Sequence, residues 1–386
     1  MINQHPLGIT PSFDLTVGGV AINYMSIDRM ELSMNEGEHD MLVLRMKGIP
    51  AKAITDYIGA PVRLVLKRGT AEEQEFVGEV AQVIPESQLN RGAVNRSPFQ
   101  LADIYCLGAS YKMRAPRSRN WGEKTLVEIA TQIAEEHKFS LDIPDTAVYH
   151  SDTAQINKSD WEFLNEMCDL YGYGLNAHGT HLNIWDPWRA TGRQISYHVL
   201  RSLKAAGFDP NPKPGVIVSF NGTFSSHSAT DRYATVLDAQ GNITTVSSVD
   251  MEDSSGLGLA YKTKILKRID ASAKSVQEAE LAVKASVRNS IPFRATVEVV
   301  GIIDIYPGGI ARIEGYDSNF DGLWYIAGVK QVLGGVGMTT TLELVLDSTN
   351  EASPTIYNTQ RYKKPPEPQF LNGEWVSTNR LINVYS

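Results

Sequence analysis

Two stretches of this chain read as copies of each other. Placed 249 positions apart, "GAPVRLVL…EFVGEVAQVI" falls on "GGIARIEG…WYIAGVKQVL" without a gap. Gly59 meets Gly308, Arg63 meets Arg312, Val80 meets Val329, Gln82 meets Gln331 and Val83 meets Val332. Apolar positions coincide as well, Leu64 with Ile313 and Phe76 with Tyr325. Each stretch carries strand-length apolar runs around a polar turn, the pattern of an antiparallel hairpin. A repeat of this kind constrains the whole chain, because it implies one β-unit made twice with the rest inserted between the copies. At 386 residues there is room for that and more than one domain besides.

The fold class that follows is α+β, mostly β: two antiparallel β-barrels, duplicated, with a small α/β domain between them. The first barrel is placed at 1–105 and the α/β insertion at 106–200. The second barrel, with a β-rich stretch and a helix over 274–290, is placed at 201–346, and an extended arm at 347–386. The insertion reads clearly. "GEKTLVEIATQIAEEHKF" has Leu126, Ile129, Ile133 and His137 at helical spacing. In "SDWEFLNEMCDLYGYG", Ser159 and Glu162 make a Ser-x-x-Glu capping box. Trp161, Leu164, Cys168 and Tyr171 then share one helix face, and Gly172 or Gly174 ends the helix in a left-handed conformation. "GLNAHGTHLNIWDP" reads as a hairpin turning at His178-Gly179. Residues 201–215, rich in Pro and Gly, read as a linker. Over 274–290, Ser275 and Glu278 repeat the capping-box pattern, and Pro292 stops the helix. The arm keeps Phe370, Trp375, Leu381 and Tyr385, more large apolar groups than a floppy tail needs, so it is expected to dock on a partner.

Net charge is −8 with 21% charged residues, which argues against a chain built to coat nucleic acid or an anionic membrane. The basic run "YKMRAPRSRNW" is the local exception, and a solvated loop broken at Pro116 is the plainer account of it. Two cysteines, Cys106 and Cys168, are too few for a disulfide framework and lack zinc spacing. They read as semi-buried thiols of a reducing compartment. No signal-peptide pattern opens the sequence and no apolar run approaches a membrane span, so a soluble chain made in a cytoplasm is expected.

No catalytic site is expected. The Gly-x-Ser-x-Gly elbow, the His-Glu-x-x-His helix and the phosphate-binding glycine loop are all missing. The stretch "DSNFDG", 317–322, is the first half of a calcium loop, but position twelve is Gly328 where a bidentate Glu is required. Its plainer reading is a turn between strands, with Asp321-Gly322 setting the register of "LWYIAGVKQV". A looser calcium turn through Asp317, Asn319 and Asp321 stays open. "HGTH" spaces His178 and His181 for a helix, but on a hairpin the two are expected to point to opposite faces and hold no metal. No cofactor is expected.

The order of these motifs resembles a known family. "INKSDWEFLNEMCDLYGYGLNAHGTHLNIWDP" is similar to the signature of phage tail hub proteins: the late control protein D family, and the hub part of valine-glycine-repeat spike proteins. The matching residues are Ser159, Trp161, Phe163, Leu164, Gly172, Tyr173, Asp186 and Pro187. A second block follows in order, with "PGG" at 307–309, Asp321-Gly322, "WYIAGVKQV" and "TTTLEL". The resemblance spans about 40–346. It implies tail-tube-like barrels and a homotrimer whose six barrels form a pseudo-sixfold ring. The ring would join a tail tube or distal tail protein to a spike or tip protein, with a tape-measure protein as a further partner and DNA only in transit. It also implies a place in the virion tail tip or baseplate, after assembly in the host cytoplasm. The C-terminal arm is not part of the family pattern. The alternative is a cell-wall-acting tail protein, either a β-rich peptidoglycan hydrolase or a glycan binder.

Overall fold

The computed structural model describes residues 12–48, 54–68, 72–86, 101–145, 149–186, 197–200, 214–224, 233–237, 243–247, 269–270, 293–300, 303–315, 321–334, 337–349, 367–378 and 381–385, with 276, 279 and 281. The chain is mostly strand. The first module contains β1 (Ser12–Val17), β2 (Val20–Ala21), β3 (Ile27–Asn35), β4 (Met41–Lys47), a short helix α1 (Ile54–Tyr57), β5 (Pro61–Arg68), β6 (Glu72–Glu86) and β7 (Leu101–Gly108). The insertion follows with β8 (Pro116–Thr125), α2 (Leu126–His137), β9 (Ser140–Pro144), β10 (Tyr149–Ser159), α3 (Asp160–Tyr171), β11 (Gly174–His178) and β12 (His181–Trp185). Next come β13 (Tyr197–Leu200), β14 (Pro214–Phe224), β15 (Tyr233–Leu237), β16 (Ile243–Ser247) and β17 (Ile269–Asp270). The second module is completed by β18 (Phe293–Val300), β19 (Ile310–Glu314), β20 (Gly322–Gly334) and β21 (Gly337–Thr349). The arm holds β22 (Pro368–Leu371), β23 (Glu374–Ser377) and β24 (Ile382–Tyr385).

The two modules share a pairing plan. The first module runs β3-β4-β7-β6-β5 and the second β14-β18-β21-β20-β19, and every pair within each set is antiparallel. Two β-bulges recur at matching places. In the first module, β3 slips at Asp28 against β4, and β6 slips at Ala81 against β7. In the second, β14 slips at Val218 against β18, and β20 slips at Ala327 against β21. Bulges are local features that fix register and bend a strand, so finding both twice marks a common plan.

The gapless alignment is corrected in its second half. Pro61 faces Glu79, whereas the equivalent Ile310 faces Tyr325. Gly59 and Ala60 exchange hydrogen bonds with Val80, and Gly308 and Gly309 exchange them with Ile326. Val80 therefore corresponds to Ile326 and not to Val329, and Val83 corresponds to Val329. The second hairpin is three residues shorter, and continuous apolar character hid the slip.

All these strands belong to one 13-stranded sheet, joined where β20 pairs with β3. Two matching closed barrels are not what the pairings show. The second set runs in a circuit, because β13 pairs in parallel with both β14 and β19. In the first set β1 pairs with β5 and β2, antiparallel, and among the described residues β3 has no partner from β1. One apolar core serves both sets: Leu44, Leu64 and Ile104 lie in the same cluster as Val297, Trp324 and Leu342, all fully buried. β7 belongs to the first module through Gly108 and β13 to the second, so the insertion begins at Ala109, slightly inside the sequence boundary.

The insertion has its own core, built from the apolar faces of α2 and α3 against β9, β11 and β12. Both helices open with a full capping box, Thr125 with Glu128 and Ser159 with Glu162. Helix α3 closes on Gly172 at φ 70, the left-handed C-cap expected. Most of the 274–290 helix lies outside the described residues, Ser275 and Glu278 with it. Val276, Ala279 and Leu281 are helical there, and Ala279 is buried. Of the expected linker, Pro214 and Gly215 already belong to β14, and 201–213 lie outside the described residues. Among the described residues no helix is long and apolar enough to cross a membrane.

Candidate functional site

One signature residue, Trp161, lies at a joint between the modules. The turn after β3 is its centre. Trp161 at the start of α3 donates its indole N–H to the Gly37 carbonyl at 3.0 Å, and Gly37 N–H donates to the Leu175 carbonyl at 2.8 Å. Gly37 sits at φ 75, and a Cβ there would lie 2.8 Å from Asn165 Oδ1, so no other residue fits without displacement. The neighbouring Glu36 reaches the second module, since its N–H donates to the Ala327 carbonyl at 3.0 Å. Its carboxylate accepts from the Tyr325 hydroxyl at 2.6 Å. Tyr325 in turn accepts from the Trp185 indole at 3.0 Å. First module, second module and insertion are thereby linked through one hydrogen-bonded chain.

Trp185 is gripped from two sides. A Cβ on Gly174 would stand 2.2 Å from its ring, and one on Gly308 2.7 Å. Both glycines are therefore required by close approach. A second polar link lies deeper. Gln331 donates to Gln74 Oε1 at 2.7 Å, and the same oxygen accepts from Asp304 N–H at 2.9 Å. A glutamine of each module is thus tied to the other inside the core, with Gln331 Oε1 left without a partner in the structure.

Three other signature residues, Phe163, Leu164 and Tyr173, are core. Phe163 stacks on Trp121 at 6.0 Å, and Leu164 and Tyr173 are buried. Asp186 follows Trp185 at the end of β12, and Pro187 lies outside the described residues. Asp321 Oδ2 accepts from Gly315 N–H at 3.0 Å, bracing the loop ahead of β20, while Gly322 is already the first residue of that strand. Gly315, at φ 74, and Gly322, at φ 156, flank this loop with positive φ, and 316–320 lie outside the described residues. Asp317 and Asn319 lie outside the described residues, and no metal-holding group of acidic, His or Cys side chains occurs among the described ones.

The histidine geometry needs correction. His178 and His181 are direct partners across a two-residue turn, Gly179-Thr180, with Gly179 at φ 58. Paired residues share a face, so the two do not point apart. His181 Nδ1 bonds Ser140 Oγ at 2.9 Å, and the His178 ring packs on Tyr306 at 4.3 Å. Burial, with the neighbouring His181, pushes the His178 pKa down to about 3, so it is neutral. The basic run is consumed internally too. Lys112 donates to the Trp375 carbonyl at 2.7 Å, and Arg114 lies over the Tyr111 ring. Arg117 and Arg119 pair with Glu136 and Asp160. Burial works to raise the Asp160 pKa, but hydrogen bonds from His137 and Gln155 and the two arginines outweigh it and hold it at about 2.

The arm packs on its own chain. β24 pairs in parallel with β9, adding a fourth strand to the insertion's β11-β12-β9 sheet. Trp375 is buried in the insertion core and donates its indole N–H to the Gly78 carbonyl of the first module at 2.8 Å. Phe370 meets it edge-on at 5.3 Å. The Leu381 carbonyl accepts from Leu141 N–H, while its side chain is exposed; Tyr385 pairs with Pro144 through its backbone. The expected docking on a neighbour is thus replaced, for these contacts, by docking within the molecule.

Sequence reading missed Trp185, Tyr325, Glu36 and the two glutamines as a joint. The available signals were an aromatic just ahead of Asp186-Pro187 and the glycines Gly174 and Gly308, the second in the "PGG" turn at φ 89.

The fold has solved counterparts. It matches a tail protein from Neisseria meningitidis MC58 with TM-score 0.62 at 11% identity, over 91% of this chain and 100% of that one. It matches the 43 kDa tail protein of prophage MuSo2 from Shewanella oneidensis with TM-score 0.58 at 14% identity, over 86% and 98%. A third match, TM-score 0.53 at 9% identity over 92% and 81%, is an E. coli type VI secretion component described as similar to bacteriophage T4 tail proteins. The chain therefore has a tail-protein fold. No curated protein matches the sequence. A family model described as the Alg8 N-terminal domain matches residues 93–334. The chain belongs to that family. The Alg8 N-terminal domain match starts ahead of β7, takes in the whole insertion and ends with β20. It is unrelated to the late control protein D resemblance, which has no family match of its own, and its description says nothing of tails.

Proposed function

We propose that this chain is a structural hub of a phage-like tail. It acts as a homotrimer whose six modules form a pseudo-sixfold ring, each module standing as a tail-tube-like unit. The ring joins a tail tube or distal tail protein to a spike or tip protein at the tail tip or baseplate. A tape-measure protein is a further partner, and DNA crosses the ring only in transit. The observation that carries this reading is the doubled five-strand plan with its two bulges. A chain that presents the same unit twice can meet sixfold symmetry with three copies. The fold shared with tail proteins agrees with it.

The hub works by surfaces and carries no catalysis in this reading. Arg117, Arg119, Glu136, His137 and Asp160 are spent on holding the insertion together. Two serine–histidine contacts occur among the described residues, His181 Nδ1 with the fully buried Ser140 Oγ and His39 Nδ1 with Ser110 Oγ, each at 2.9 Å. Ser110 is buried, and burial, with the nearby Arg114, pushes the His39 pKa down to about 4, so it is a poor base in a closed place. Native mass spectrometry of the purified full chain tests the proposal. A trimer at micromolar concentration is expected, and a chain that stays monomeric, or that clears peptidoglycan, overturns it.

A further inference from the structure

The doubled register also locates the contact between copies. Within one chain, the modules join because the C-terminal half of β20 leaves β19 at the bulge and pairs with β3. The register sets Val329 opposite Met34, Lys330 opposite Ser33 and Val332 opposite Glu31. An ion pair, Lys330 with Glu31 at 2.5 Å, crosses this inner junction. Each partner has a counterpart in the other module. The bulges equate β20 with β6, so Lys330 corresponds to Ile84, and equate β3 with β14, so Ser33 corresponds to Thr223.

Those counterparts are paired on one side only among the described residues, Ile84 with Asp103 and Thr223 with Arg294. Among the described residues no strand pairs with the outer edge of β6 beyond Val80, nor with the outer edge of β14 beyond Val216. The surfaces differ as an occupied and an empty version of one site would. Val329 and Gln331 of β20 are buried, whereas their counterparts on β6 are the half-buried Val83 and the exposed Pro85, and Ile84 is exposed as its counterpart Lys330 is. On β14, Val218 is 55% exposed and Asn221–Thr223 lie in solvent. An open strand edge carrying apolar side chains is a place where another chain pairs.

We propose that the outer half of β6 receives β14 of a second copy of this chain, in the register of the inner junction. Ile84 then faces Thr223 of the next copy, and Glu86 faces its Asn221. The contact is head to tail, so repetition gives a closed ring or a filament. It rests on the hub reading only for the closure at three. Two features set it apart from the inner junction. Pro85 lacks an N–H, so the outer junction makes no more hydrogen bonds than the inner one. The Lys330–Glu31 pair is replaced by Ile84 and Asn221, which makes the contact between copies the less salt-sensitive of the two.

Two single-cysteine variants of the full chain, Ile84→Cys and Thr223→Cys, test this when mixed and oxidised with copper phenanthroline. Only a contact between molecules can join them, and the native Cys106 and Cys168 are buried and do not compete. Directly opposed strand positions bring Cα atoms within disulfide range, and a two-residue shift does not. A covalent dimer is expected, on the order of tenfold more abundant than from Glu86→Cys mixed with Thr223→Cys. Native mass spectrometry of the unmodified chain runs beside it. A trimer without the crosslink overturns the junction and leaves the hub. A crosslink with an open ladder of oligomers supports the junction and overturns closure at three. A monomer with no crosslink overturns both.

Discussion

The two modules agree inside and disagree at their margins. Strand order, both bulges and the fully buried positions Ile104 and Leu342 correspond. The sixth strand does not. β13 lies parallel to β19 and bridges it to β14, whereas β1 lies antiparallel to β5 and leaves β3 to the other module. The same segment is buried as the end of β20 and exposed as the end of β6. The differences fall on edges, where partners are chosen, and spare the core, where both modules share one apolar cluster.

The sharpest test of this difference removes the bulge residue from each module. Deleting Ala327 shifts the end of β20 by one residue and turns Val329 and Leu333 off the core face, so the chain should fail to fold cooperatively. Deleting Ala81 disturbs an end that pairs on one side only. A loss of roughly 1–2 kcal/mol in chemical denaturation is expected, with native trimer lost. Equal damage from both deletions would erase the distinction between inner and outer edges.

Next in size are Ile104→Ala and Leu342→Ala. Each should cost roughly 2–5 kcal/mol. Because one core spans the modules, calorimetry should find the same transition lowered in both variants, and a split into two transitions would separate the modules. Acid comes third. His178 and His39 stay neutral when folded, while an unfolded histidine takes up a proton near its ordinary value of 6.5. Stability is therefore complete above that value and falls as pH drops through it, by up to roughly 1 kcal/mol per pH unit for each group. The fall continues toward about 4 for His39 and about 3 for His178. Asp160 adds its loss only between its usual 3.8 and about 2. Thermal melts of His178→Phe should show a flatter slope between pH 6.5 and 5, and an unchanged slope would remove His178 from the account. The smallest effect belongs to the insertion, where Ser159→Ala should cost about 1 kcal/mol by urea denaturation.

Much of this was legible in the sequence, for reasons that differ by residue. The Ser159–Glu162 box and Gly172 read correctly because caps are local chemistry. Thr125 with Glu128 is equally plain in "TLVE" and went unread. The repeat was visible, but its register was not, since a hairpin three residues shorter leaves apolar residues aligned with apolar residues. The joint was opaque because Glu36, Trp185 and Tyr325 lie far apart in the chain and are ordinary by type. The histidine error came from applying strand alternation across a turn, where i and i+3 become partners.

The arm has a consequence in time. β24 completes a sheet begun at β9, and Trp375 fills a core whose other walls are made much earlier in synthesis. At ribosomal speeds the gap is on the order of tens of seconds. Through that interval the β9 edge is bare and the Gly78 carbonyl has no indole to receive. A nascent insertion domain therefore waits, unfinished, until the arm leaves the ribosome, and every chain interrupted before Trp375 is released with that opening still in it.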